Sequence, residues 1–122
     1  LVTDSKGVER LVSGQLNDGF LPKDSRVFAK KSGYMHGEPV GLKFWRVEKI
    51  LADTRISPDE TRVESFELPE DISYPITVIA KINYRSFSKP LTSKVQAAFP
   101  EQNIPFADVI ELNKVTKVFQ ER

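Results

Sequence analysis

The sequence predicts an all-β fold, an antiparallel β-sandwich of the immunoglobulin or fibronectin type III kind with one short helix near residues 90–98. Three observations lead there. "YPITVIAKINYR" alternates with period two and is rich in β-branched residues; six to eight short strand candidates are separated by Gly, Pro, Asn and Asp; and only one segment has helical spacing. A small barrel is the rival architecture.

Taken in order, "LVTDSKGVERLVSG" reads as two short β-stretches joined by a turn, because Asp4, Ser5 and Gly7 supply turn hydrogen bonds and a positive φ. Turn signals at Asn17, Asp18, Gly19, Pro22 and Gly33 then make a loop-dominated region, with a short strand expected at Arg26 to Ala29. "GEPVGLKFWRVEKILADTRI" reads as a longer strand with Leu42, Phe44 and Arg46 on one face and Lys43, Trp45 and Val47 on the other. An aromatic on each face predicts that it is covered on both sides for part of its length. "TRVESFELP", stopped by Pro69, reads as a half-exposed strand offering Phe66 and Leu68 to one face.

In "YPITVIAKINYR", Ile76, Val78, Ala80, Ile82 and Tyr84 form one row and Thr77, Ile79, Lys81, Asn83 and Arg85 the other. That pattern predicts a central antiparallel strand with one face in the core. Leu91, Val95 and Ala98 lie at helical spacing, with Ser88 or Thr92 as caps and Pro100 as the stop. The final segment predicts a strand from about Val109 to Leu112, continued to Phe119.

A length of 122 residues suits a single domain over 1–122 that buries roughly two-thirds of its unfolded surface. Net charge is +1 with the signs interspersed, which gives no concentrated basic face for nucleic acid. With no Cys, disulfides, thiol catalysis, Cys-ligated zinc and covalent haem attachment are excluded within these residues. The longest apolar runs fall far short of the roughly 20 residues of a membrane span. The start inside an apparent strand, without Met, reads as part of a larger protein.

Few side chains offer chemistry. His36, in "GYMHGEP", is the one imidazole, and a Gly- and Pro-bounded loop favours an exposed loop histidine over a catalytic one. Asp53 and Arg55 read as a structural ion pair, and Glu64 and Glu67 as surface acids on opposite strand faces. "NYRSFSK" reads as a core tyrosine with a surface cation over an aromatic, in preference to an aromatic and basic ligand surface. Lys30, Lys31, Lys43, Arg46 and Lys49 make at most a mildly basic strip. No nucleophile, base and orienting group can be assembled, so no enzyme is expected.

The order of "VTDSKGVERLVSGQLNDGF", "LADTRISPDET", "FELPEDISYPITVIAKINYR" and "IPFADVIELNK" resembles a β-sandwich module in the C-terminal part of multihaem cytochromes c of bacteria and archaea. The likeness lies in a "TD..G" strand before "SG.L", a "DTRI.P.E" turn and an "A.INYR" strand ahead of a final "IP" strand, and it covers nearly the whole chain. It implies a haem-free accessory domain of an exported electron-transfer protein, periplasmic or extracellular, packed against or spacing out a haem-bearing part of the same polypeptide. Haem c would belong to that other part, since this chain lacks the C-x-x-C-H motif. In that setting His36, or its neighbour Met35, is the candidate axial ligand to a haem carried elsewhere in the parent chain. The competing expectation is a stand-alone extracellular module binding protein or carbohydrate, with Phe20, Tyr34 and Phe87 as surface anchors.

Overall fold

The computed structural model describes residues 1–121. Six strands, one 3-10 turn and one α-helix follow one another along the chain: β1 (Val2–Thr3), β2 (Glu9–Leu11), β3 (Lys30–Gly33), the 3-10 turn (Phe44–Arg46), β4 (Lys49–Asp53), β5 (Ile76–Tyr84), α1 (Lys89–Ala98) and β6 (Ile110–Phe119). The strands form two open antiparallel sheets, ordered β2-β1-β5-β6 and β3-β4. This is the all-β class the sequence predicts, two antiparallel sheets with one short helix, and neither sheet closes into a barrel.

The chain divides into two compact units, each assembled from separated segments. The first comprises Leu1–Ser25, Ser65–Ser86 and Ala107–Arg122, and holds the four-stranded sheet. Its β1-β2 hairpin closes through Asp4, whose buried carboxylate accepts from the backbone N–H groups of Lys6 (2.9 Å) and Val8 (3.0 Å). Gly7 takes the positive φ of +76° that the turn demands. Val2 and Ile76 are the buried apolar side chains of this unit.

β5 spans the residues that the period-two pattern marks, and it is central, between β1 and β6. Its apolar row is only partly covered: Ile76 is buried and Val78 half-buried, whereas Ala80, Ile82 and Tyr84 are exposed. β6 runs unbroken along it from Ile110 to Phe119, with a register shift at Ile82/Asn83.

The second unit comprises Arg26–Glu64 and Phe87–Phe106 and holds the two-stranded sheet and the helix. Val40, Thr92 and Gly33 are buried here. Ser88 caps α1, its hydroxyl accepting from Leu91 N at 3.4 Å, while Thr92 is buried inside the helix with its hydroxyl on Ser88 O (3.3 Å). Gln96 secures the chain beyond the helix, donating to Gln102 O (2.6 Å) and accepting from Ile104 N (3.0 Å).

Three expected strands differ. Residues 26–29 are not a strand; β3 starts at Lys30 because its partner β4 ends at Asp53, and beyond that point Thr54 continues the contact from its hydroxyl. The long strand expected across Gly37 to Ile56 shrinks to β4. Gly41 has a φ of +59° and Arg46 N donates to Lys43 O (2.8 Å), so residues 43–46 wind into a 3-10 turn whose Phe44 and Trp45 are exposed rather than covered. Residues 61–68 form no strand either, since no strand pairs with them, and the Arg62 guanidinium reaches back to Thr54 O (2.8 Å) and Glu60 (3.0 Å).

Candidate binding surfaces

The "DTRI.P.E" turn is the densest polar network of the second unit. Arg55 forks onto Asp53, Nε to Oδ1 at 2.8 Å and Nη2 to Oδ2 at 2.6 Å, as the two-residue spacing suggests. That side-chain hydrogen bond holds the Asp53 carboxyl down at about 2, against an ordinary 3.8. Glu60 accepts from Ser57 N (2.8 Å) and pairs with Arg62, and both contacts pull its pKa below the ordinary value. Thr54, which the sequence reading passes over, ties the turn to the preceding loop: its hydroxyl donates to Val27 O (2.7 Å) and accepts from Ala29 N (3.1 Å). Every one of these contacts joins the turn to itself or to residues 27–29. The network is a brace, and it presents no nucleophile to a cleft.

His36 sits on the tight turn after β3, where Gly37 N donates to Tyr34 O (3.0 Å) and Tyr34 N to Glu38 O (2.8 Å). Its ring stacks on Tyr34, with centroids 5.4 Å apart and planes 6° from parallel, and Nε2 lies 3.2 Å from a Glu38 carboxylate oxygen. It is an exposed loop histidine. An iron ligand at Nε2 would have to displace Glu38, and no group of three or more His, Cys, Asp or Glu side chains placed to hold a metal occurs among the described residues. Met35 is exposed, its backbone held by Glu48 (2.6 Å) and Lys49 (2.7 Å).

"NYRSFSK" is arranged differently from its sequence reading. Tyr84 is half exposed rather than core, and Arg85 straps backbone, donating to Gly19 O (2.8 Å) and Ala107 O (3.1 Å) in the first unit. The cation over an aromatic is instead Lys89, 5.3 Å from the Phe106 ring centre. Of the three proposed anchors, Phe20 and Phe87 are exposed, while Tyr34 is half-buried between His36 and the Arg46 guanidinium, 5.7 Å from its ring centre.

Among the described residues two bare surfaces stand out, and neither is apparent from the sequence. The first is the β5-β6 ribbon. The register places Ile76 beside Phe119, Ala80 beside Val115 and Tyr84 beside Ile110, so Ile82, Tyr84, Ile110, Val115 and Phe119 share one largely apolar face, each about half exposed, with Lys117 beside Val78 and Asn113 beside Ile82 in the same row. The opposite face carries Lys81 paired to Glu111 at 2.8 Å, which lowers the Glu111 carboxyl pKa. The second is the 3-10 turn, with Phe44 at 75% and Trp45 at 70% exposure. An open depression lined by Val12, Leu16, Asn17, Pro22 and Asp24 brings no base and nucleophile together.

No helix among the described residues is long and apolar enough to cross a membrane. Comparison with family models, with curated proteins and with solved structures finds no match to this chain.

Proposed function

We propose that this chain is a non-catalytic, haem-free accessory domain of an exported multihaem cytochrome c, whose work is to pack against and position the haem-bearing part of the same polypeptide. The observation that carries the accessory role is under-burial. The chain exposes 9776 Å². A self-contained folded monomer of 13.8 kDa exposes about 6,600 Å², and even two independent units of half that mass would expose about 8,000 Å² together. The surplus has the size of an obligate interface, and the half-exposed apolar face of β5-β6 is the kind of surface such an interface covers.

The identity of the covering part rests on the resemblance of the "TD..G", "DTRI.P.E" and "A.INYR" segments to the cytochrome module. With no Cys, this chain contributes no covalent haem attachment, and toward the haem-bearing part its residues supply packing and spacing. The test is the visible absorption spectrum of the intact parent protein, oxidised and reduced, with its intact mass. A Soret band and a mass excess for covalent haem are expected. A colourless parent of unmodified mass overturns the cytochrome assignment and leaves a binding module to be pursued by partner capture.

A further inference from the structure

The 3-10 turn combines two independent features. Its tip is a pair of neighbouring large aromatics, Phe44 and Trp45, edge to face at 5.1 Å and exposed over most of their surface. Its flanks are cationic, with Lys43 before the pair and Arg46 after it, and the six residues from Leu42 to Val47 include no acid. The base is held down. Val40 is buried, Lys43 N donates to Val40 O (3.1 Å), and Glu48 N donates to Gly33 O (3.1 Å) at the start of β4. The two nearby carboxylates are already engaged, Glu48 by Met35 N and Glu38 by His36. Residues 30–49 hold five Lys or Arg against two Glu, a local excess that the nearly neutral whole chain conceals.

We infer that this turn is a peripheral membrane-docking wedge, in which Phe44 and Trp45 enter the headgroup layer of an anionic phospholipid bilayer while Lys43 and Arg46 meet its phosphates. Trp and Phe favour that depth, where an apolar ring body and wet surroundings coexist. Each cation near an anionic surface adds attraction that salt screens. A protein partner would also take aromatics and Arg, but Lys is depleted in the cores of protein interfaces and enriched at bilayer surfaces, and Lys43 directly precedes the pair. The wedge lies on the membrane and does not cross it. It is independent of whether the parent carries haem.

Trp45 is the sole tryptophan of the chain, so its emission reports the tip directly. The 122-residue chain is titrated at low salt with vesicles of phosphatidylcholine containing about one-third phosphatidylglycerol, and with pure phosphatidylcholine vesicles. The expected result is a blue shift and quenching by bromolipid with the anionic vesicles, reversed by added salt. Lys43→Glu together with Arg46→Glu is expected to weaken vesicle binding by at least about tenfold. Phe44→Ser is expected to reduce the blue shift while retaining some salt-sensitive binding. Circular dichroism checks that both variants keep the wild-type fold, and Lys114→Glu together with Lys117→Glu on β6 serves as a charge-matched control expected to bind like the wild type. Three results overturn the inference: no shift with anionic vesicles at low salt; equal, salt-insensitive binding to both vesicle types; or an emission maximum already blue and unmoved by lipid, which would mean that protein covers the tip.

Discussion

At the scale of single residues, the side chains that matter most to the fold are short polar ones that satisfy backbone. Asp4 is buried because its carboxylate replaces the water that Lys6 and Val8 N–H groups would otherwise need, and Arg10 stands 3.9 Å away as a partial counter-charge while pairing more closely with Asp71. The Asp53–Arg55 fork works in the open, on the surface of the second unit. Its folded pKa of about 2 lies below the ordinary 3.8, so the pair's stabilisation is fully present above about pH 4 and is lost as the pH falls toward about 2. An NMR titration of the Asp53 carboxyl carbon should find its midpoint near 2. Arg55→Gln should move that midpoint back toward 3.8, and a midpoint already at the ordinary value in the wild type would remove the fork from solution.

At the scale of elements, the β3-β4 pair depends on one close approach. Gly33 is buried at the end of β3, and a Cβ there would lie 2.6 Å from the Glu38 carbonyl oxygen and overlap Leu51 Cδ1 as well. The Leu51 side chain can turn aside, whereas the carbonyl is fixed in the turn that places His36. Gly33→Ala should therefore cost about 1–3 kcal/mol in urea denaturation, and adding Leu51→Ala should not recover it. Full rescue by the second change would shift the constraint from backbone to side chain. β5, the capped helix and the Asp4 hairpin were all legible in the sequence, since each is specified by neighbours within a few residues. The strands expected at 26–29, across 42–47 and at 61–68 do not form, because alternation says that a segment can be extended and never whether a second strand lies beside it.

At the scale of the whole molecule, the feature to explain is how little is covered. All ten residues of β6 are exposed, and the strand forms the edge of its sheet with a row of backbone groups turned away from β5. Hydrogen exchange should find the outward amides of β6 unprotected in the 122-residue chain and protected in the intact parent. Equal exchange in both would locate the missing cover elsewhere than on this ribbon. The same exposure explains why the candidate surfaces escaped the sequence reading. Ile82, Tyr84, Val115 and Phe119 look like ordinary core residues until the structure shows nothing over them, and Trp45 looks like the second face of a strand until Gly41 turns the chain.

The sequence by itself determined the all-β class, the central strand, the short helix with Ser88 or Thr92 as its cap, the Asp53–Arg55 pair and the absence of Cys chemistry. Each follows from residue type and short-range spacing. Only the tertiary structure decided the two-sheet order, the choice of Ser88 as the helix cap, the place of Thr54 as a tie to residues 27–29, and the exposure of the β5-β6 face and of the Phe44–Trp45 tip. The physical reason is that burial and pairing are relations between segments far apart in the chain: an apolar residue carries the same pattern in sequence whether its partner is present or still to come.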